Sequence, residues 1–397
     1  MPIEISFDNT EIAFASRSDL DLRRAYLLFR TLGNRNLVEC GKYLTQIGFA
    51  LHLPLSPAIK ATLFRQFVGG ETIEECRQTI ERLADYGIGT ILDYSAEGKS
   101  SENSFEQTTQ ELLKIIARAK GDPHIPFAVF KVTGLARYEL LEKASQWGGL
   151  SASEKEELER VEHRIERICR AAADAETPVF LDAEETWIQP AIDRFALEMM
   201  RKFNREKAWV WNTLQIYRWD RLSYLKELHA QAQKEGFYLG LKLVRGAYME
   251  KERARALSKG YPDPIQPDKA STDRDFNAAV SYCLENLDRI SLCAGSHNEN
   301  SNYHLVQWMQ KYALPENHAQ IWFAQLLGMS DHLSFNLAQA GYNVVKYVPY
   351  APVKDIVPYL IRRAEENTSV AGQVGRELDL ITREIKRRRE QFAAARD

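Results

Sequence analysis

Apolar residues between Asp19 and Asp85 return every three or four places, as in Leu22, Ala25, Tyr26 and Phe29, and again in Ile73, Cys76, Ile80 and Leu83. That spacing puts them on one face of a helix and predicts a helical arm over residues 1–86. Beyond it the pattern changes. Short runs rich in β-branched and aromatic residues begin near Gly89 (GTILDY), Phe127 (FAVFKVTG), Pro178 (PVFLDAEE), Ala208 (AWVWNTLQIY), Tyr238 (YLGLKLVRG), Ile290 (ISLCAGSH), Gln320 (QIWFAQLL) and Asn343 (NVVKYVPY). Each is followed by a segment with helical period. Strands that are apolar almost without interruption are covered on both faces, as in a parallel sheet with helices outside it. Eight such units predict an α/β fold, a (β/α)8 TIM-type barrel over residues 87–375, followed by a C-terminal helix over 376–397.

An open doubly wound sheet would place its phosphate-binding glycines between a strand and the helix after it. Here Gly87-Ile88-Gly89 precedes a strand and has no third glycine, so that architecture fails. The 397 residues carry a formal net charge of −3, and no overall field invites nucleic acid. Cys40, Cys76, Cys169, Cys283 and Cys293 show no CxxC spacing, which suits reduced thiols in the cytoplasm. The start, MPIEISFDNTEIAF, resembles neither a secretory leader nor an Arg-rich transit peptide. No stretch approaches the roughly 20 apolar residues of a spanning helix. Membrane contact is therefore expected to be peripheral at most, at the inner face of the membrane. The histidines form no HExxH or HxH pair and no GxSxG elbow occurs, so neither a metal site nor a serine hydrolase is expected.

Two segments stand apart. Glu250 to Asp273, after the fifth strand, reads as a long polar connection with a YPDPIQPDK turn cluster, the kind of insertion that carries function in barrels. The C-terminal RELDLITREIKRRREQFAAAR reads as a basic amphipathic helix. The plainer expectation for it is docking on the barrel with a solvated charged face; the other is a membrane surface or a partner.

Barrel enzymes place their chemistry at the C-terminal ends of the strands. Here those ends carry Lys131, Asp182, Gln215, Lys242, Arg245, His297, Gln325 and Tyr347. One such residue could be a satisfied core group, but polar groups on seven ends of eight need partners, and a shared ligand supplies them. In the helix after the last strand, Arg362 and Arg363 lie 100° apart and Glu366 is one turn beyond Arg363. An arginine pair on a helix is usually solvated. At a barrel mouth two guanidiniums can instead clamp a carboxylate with forked hydrogen bonds.

These residues resemble a known family. DAEE (Asp182–Glu185), KLVRGAY (Lys242–Tyr248), GSHN (Gly295–Asn298), QLLGM (Gln325–Met329), KYVPY (Lys346–Tyr350) and PYLIRRAEEN (Pro358–Asn367) look like proline dehydrogenase, in that family's order, as does FVGGET (Phe67–Thr72) in the arm. The resemblance covers roughly residues 60 to 375. It implies a monofunctional, FAD-dependent barrel that takes a hydride from L-proline, gives Δ1-pyrroline-5-carboxylate and passes electrons to a quinone. Carried over by motif position, Lys131, Arg362 and Arg363 would bind the proline carboxylate, with Glu366 beside the arginines. Tyr347 and Leu326 would pack on the ring, Tyr248 and Tyr359 would line the pocket, and Asp182 would order the cations. Gln215, Lys242, Arg245, His297 and Gln325 would contact FAD, as would Thr272 and Asp273 in the connection after the fifth strand. Glu97 is placed as a lid partner of Arg362.

Three cations around a carboxylate would lower the pKa of an adjacent amine and orient the ring, while the flavin supplies the redox chemistry. No protein base is required. One departure is Ala351, where the family has glycine after YVPY; were that position to need a positive φ, the turn into the arginine helix would be strained. A barrel enzyme gripping a phosphorylated ligand with the arginine pair, and a non-catalytic binding barrel, are the competing readings.

Overall fold

The computed structural model describes residues 5–50, 55–96, 100–146, 148–369 and 373–394. Eight parallel strands close into a barrel in chain order: β1 (Ile88–Tyr94), β2 (Phe127–Phe130), β3 (Val179–Leu181), β4 (Val210–Gln215), β5 (Leu239–Val244), β6 (Ile290–Gly295), β7 (Ile321–Leu326) and β8 (Val344–Tyr350). β8 pairs with β1 over the full length of both, from Ile88↔Val344 to Tyr94↔Tyr350. Side chains alternate across each strand. On β5, Leu239, Leu241 and Leu243 face outward into the main core, where they meet the helices. Gly240 faces inward and leaves room for Trp211, since a Cβ there would lie 2.4 Å from the indole.

The barrel axis is filled with rings. Phe127 stacks on Phe180 at 4.6 Å and meets Trp211 and Trp322 edge-on at 5.3 and 5.1 Å. Each such aromatic contact adds about 0.5–1.5 kcal/mol to the burial of the rings. This layer seals the barrel below the strand ends and leaves only the upper face for polar groups.

The arm is tied to that upper face. Arg17 donates to Asp331 at 2.8 Å and to Gln66 at 3.2 Å, while Gln66 donates to the Gly328 carbonyl at 2.7 Å. In FVGGET the Gly69 amide donates to Pro349 O at 2.9 Å, and a Cβ on Gly69 would lie 2.4 Å from Val348. The motif is thus the seam where the arm meets β8. A second core cluster joins Leu22, Phe29 and Phe67 of the arm to Ile356 and Leu360 of the last barrel helix (Val353–Ser369) and to Leu380 and Ile381 of the C-terminal helix (Gln373–Ala394).

The C-terminal helix docks with its charged face still largely in solvent, and some of its arginines reach the arm. Arg383 pairs with Asp8 at 2.8 Å, Arg387 with Glu11 at 3.2 Å and Arg388 with Asp19 at 2.9 Å. Two expectations are corrected. The polar connection after β5 contains a helix, Met249–Lys259, whose charged residues hid its apolar period, and Thr272 and Asp273 lie near the start of the next helix, Lys269–Glu285. Among the described residues the non-glycine positions with positive φ are Glu176, Ala313 and Ser330, so Ala351 carries no such strain. No helix among the described residues is long and apolar enough to cross a membrane.

Candidate active site

Where β1, β2, β3, β5 and β8 end, inward parity brings charged side chains onto the barrel axis. Lys131, just past β2, has its ammonium 3.3 Å from Asp182 and 3.6 Å from Asp93. Lys242 of β5 donates to the other oxygen of Asp182 and to the Tyr347 hydroxyl. Tyr347 in turn donates to Asp182 at 3.4 Å. The Lys242 ammonium also lies 4.5 Å from the Tyr347 ring centroid and 5.2 Å from that of Phe180. Burial pushes the Asp182 carboxyl upward, but Lys242 and Lys131 outweigh it and hold the group below the usual carboxylate range. Burial works against the Lys131 ammonium too, and Asp93 and Asp182 overcome it, leaving its pKa raised. Both charges therefore persist in a site closed to water from below.

Above this cluster opens a cavity of about 1480 Å³, lined by Lys131, Tyr248, Arg362, Glu366, Arg245 and Thr272 among others. That exceeds the roughly 300–1,000 Å³ of a pocket for one drug-sized molecule. The last barrel helix presents Arg362 to this cavity, whereas Arg363 is not among its lining residues. Arg363 is buried, donates to Glu366 at 2.5 Å and has its guanidinium 5.2 Å from the Tyr359 ring. Tyr359 is pushed up to about 12, first by burial and then by the charge of Asp93, with Arg363 and Lys131 opposing. Tyr248 is raised by burial against the pull of Arg362 and Lys131. Groups from β2, the loop after β5 and the last helix therefore share one electrostatic neighbourhood. Leu326, at the end of β7, packs against the cluster that contains Tyr347.

The remaining polar residues divide. Arg245 is held by Asp273 at 2.7 Å, Ser296 at 2.7 Å and Ser301 at 2.9 Å, with its guanidinium 4.5 Å from the Phe276 ring. His297 meets Ser330 Oγ through Nδ1 at 2.9 Å. Burial, then the charges of Lys346 and Arg363, push its pKa down to about 3, so the imidazole is neutral. Gln215 donates to the Glu184 carbonyl, while its buried Oε1 has no protein partner among the described residues. Gln325 is turned away from the cavity: its amide donates to Ser296 O at 3.1 Å and its oxygen accepts from Ser334 at 2.9 Å. Lys242 is likewise committed to Asp182 and Tyr347. Glu97 lies outside the described residues.

Residues 76–376 match the family described as proline dehydrogenase. The chain belongs to the proline dehydrogenase family. It is an oxidoreductase of that family, among enzymes of proline catabolism. It is 34% identical to the hydroxyproline dehydrogenase of Xenopus laevis over 94% of this chain and 88% of that one. It is 37% identical to the carbapenem antibiotics biosynthesis protein CarD of Pectobacterium carotovorum over 81% of this chain and 83% of that one. The identity rises to 42% with the human proline dehydrogenase 1, mitochondrial, over 59% of this chain and 40% of that one. Among solved structures, proline utilization A from Bdellovibrio bacteriovorus, inactivated by N-propargylglycine, superposes with a TM-score of 0.72 at 20% identity, over 93% of this chain. At that identity the likeness speaks for the fold, and the enzyme spans 40% of that larger protein.

Two residues of the enzyme's site escape a reading by strand ends. Asp93 closes GTILDY, and its parity with the inward Ile91 was the available clue. Glu184 lines the cavity and accepts from the Thr133 amide at 3.0 Å and from the Thr133 hydroxyl. Burial raises its carboxyl to about 7, so it titrates near neutrality.

Proposed function

We propose that this enzyme oxidises L-proline to Δ1-pyrroline-5-carboxylate, with FAD as hydride acceptor and a quinone receiving the electrons. The observation that supports the reading is that Lys131 and Arg362 line one cavity above Asp182, while the buried Arg363, beside Arg362 on the same helix, acts with Lys131 on Tyr359. The family supplies the substrate class, and a carboxylate is the anion that such a forked and pointed set of donors suits.

The residues present fit a flavin. The cavity is larger than an amino acid needs, the buried Gln215 Oε1 awaits a donor, and Arg245 brings a positive charge to the wall. FAD, when bound, supplies the two-electron redox chemistry that the side chains lack. Gln215, Arg245, His297, Thr272 and Asp273 are the residues we assign to holding it. Lys242 and Gln325 support the site through the neighbours to which they are committed.

The chain's own residues do the rest. Lys131, Arg362 and Arg363 hold the carboxylate, and Glu366 holds Arg363 in place. Their combined charge disfavours an ammonium beside them, so the ring nitrogen loses its proton and frees its lone pair. Tyr347 and Leu326 pack on the ring and fix which carbon faces the acceptor. Tyr248 and Tyr359 wall the site against water.

The Xenopus laevis relative is named for hydroxyproline, so the neighbouring substrate is the second reading. The bulk of Tyr347, pinned by Lys242 and Asp182, favours the bare ring. Purified protein is expected to be yellow and to bleach on addition of proline. A colourless protein that cannot be reconstituted with FAD would overturn the assignment. We place the enzyme in a reducing compartment on its free thiols: the cytoplasm, or the mitochondrion that the human relative's name specifies for that protein.

A further inference from the structure

The turn between β7 and the helix Asp331–Gln339 is gripped from three directions. Gln66 of the arm donates to Gly328 O at 2.7 Å, Lys346 of β8 donates to Met329 O at 2.8 Å, and Glu377 of the C-terminal helix accepts from the Ser330 amide at 2.6 Å. Ser330 itself is left-handed, with φ 51° and ψ 43°, a strained conformation for a residue other than glycine. It precedes a helix, yet its side chain makes no capping bond to that helix. The hydroxyl points instead at His297 Nδ1, 2.9 Å away.

The direction of that bond follows from satisfaction. His297 Nδ1 is the side chain that the Ser330 hydroxyl meets, and a buried hydroxyl that donates nothing is costly. The hydroxyl therefore donates to Nδ1. The neutral ring then carries its single proton on Nε2, which meets no side chain among the hydrogen bonds of the described residues. A left-handed serine aims its hydroxyl this way only while its backbone is held there, and the Glu377 carboxyl oxygen accepts a bond from that backbone from outside the barrel.

We propose that Glu377, on the C-terminal helix, is a positioning residue of the cofactor site: by holding the Ser330 amide it fixes the Ser330 hydroxyl on His297 and presents the His297 Nε2–H toward the flavin. The inference rests on the reading that His297 helps to hold FAD. It makes the C-terminal helix part of the active-site assembly as well as a clamp on the arm. Glu377 is buried, and its carboxyl pairs with no cation within salt-bridge distance among the described residues, so it is poorly explained as a surface ion pair.

The test compares Glu377→Ala, Glu377→Gln and Ser330→Ala with the unaltered chain. In ¹⁵N-histidine-labelled protein, the ring nitrogens of His297, identified by their loss in His297→Asn, are expected to show the Nε2–H form in the unaltered chain and in Glu377→Gln, whose amide oxygen accepts the same bond. Glu377→Ala and Ser330→Ala are expected to shift toward a mixture of tautomers. FAD titrated by quenching of its fluorescence is expected to bind roughly tenfold more weakly to either of these, and no more weakly to the pair combined, as for one lost hydrogen bond shared by both. Unchanged His297 resonances in Glu377→Ala, or losses of affinity that multiply in the double variant, would overturn the linkage. Should Glu377→Ala fail to fold, Ser330→Ala and Glu377→Gln decide it. The ring resonances are read without flavin, so a chain that binds no FAD at all would sink the flavin reading and still decide whether Glu377 sets the tautomer.

Discussion

Asp182 is the joint between the two lysines of the barrel mouth, and its removal has a calculable signature. Lys242 is buried, and Asp182 is its one charged partner among the described residues, whereas Lys131 keeps Asp93 at 3.6 Å. Breaking a buried pair from one side costs about 3–5 kcal/mol. Asn in place of Asp keeps one acceptor for Lys242, so Asp182→Asn should cost about 3 kcal/mol, near the lower end. Lys242→Met leaves Asp182 with Lys131 and strips the Asp182 carboxylate and the Tyr347 hydroxyl of one donor each, a cost of about 2 kcal/mol. Removing both charges together leaves no uncompensated ion, and the double variant should cost about 2 kcal/mol instead of the sum. Urea unfolding followed by far-UV circular dichroism on all four proteins measures this coupling. Costs that add to within about 0.5 kcal/mol would refute the pairing. The pH dependence has a definite sign: the Asp182 carboxyl is held below its ordinary 3.8, so its stabilisation is present above that pH and disappears as the pH falls through the lower folded value. The gap between the unaltered chain and Asp182→Asn should therefore close in acid.

Arg363→Met removes a forked donor and should raise the KM for proline by roughly a hundredfold while FAD stays bound; an ordinary KM would dismiss the carboxylate clamp. Tyr347→Ser should raise kcat/KM for 4-hydroxyproline relative to proline by about tenfold, measured as initial rates with a dye acceptor, and an unchanged ratio would remove Tyr347 from the ring contact. Glu184, raised by burial from 4.5 to about 7, holds a proton in the folded chain that the unfolded chain has released. Its stabilisation is full below pH 4.5 and is lost as the pH rises through about 7, a change of roughly 3 kcal/mol. Glu184→Gln should flatten that part of the stability profile, and an identical profile would mean the carboxyl is solvated.

The barrel was legible because its strands are covered on both sides and so read as apolar runs, each closed by a polar residue. Lys131, Asp182 and Tyr347 could be found because they interrupt such runs at their ends, and their convergence follows from closure of the sheet. Asp93 interrupts its run in the same manner, but next to Tyr94 it passes for the edge of a loop. The helix Met249–Lys259 was lost because Lys, Glu and Arg fill most of its turns, leaving Ala256 as its buried apolar contact. Long-range pairings such as Ser330 with Glu377 leave no local trace: neither residue's neighbours in sequence announce the other. Nor did the basic C-terminal helix reveal that its arginines would meet Asp8, Glu11 and Asp19 from the opposite end of the chain.

The stacked rings of Phe127, Phe180, Trp211 and Trp322 have a kinetic consequence. With the lower end stoppered, whatever gives electrons and whatever takes them must use the same doorway. Were the two to occupy the same place in turn, the donor's product would depart before the acceptor arrives. Such alternation shows itself as parallel lines in double-reciprocal plots, and as mutual obstruction when either visitor is in excess.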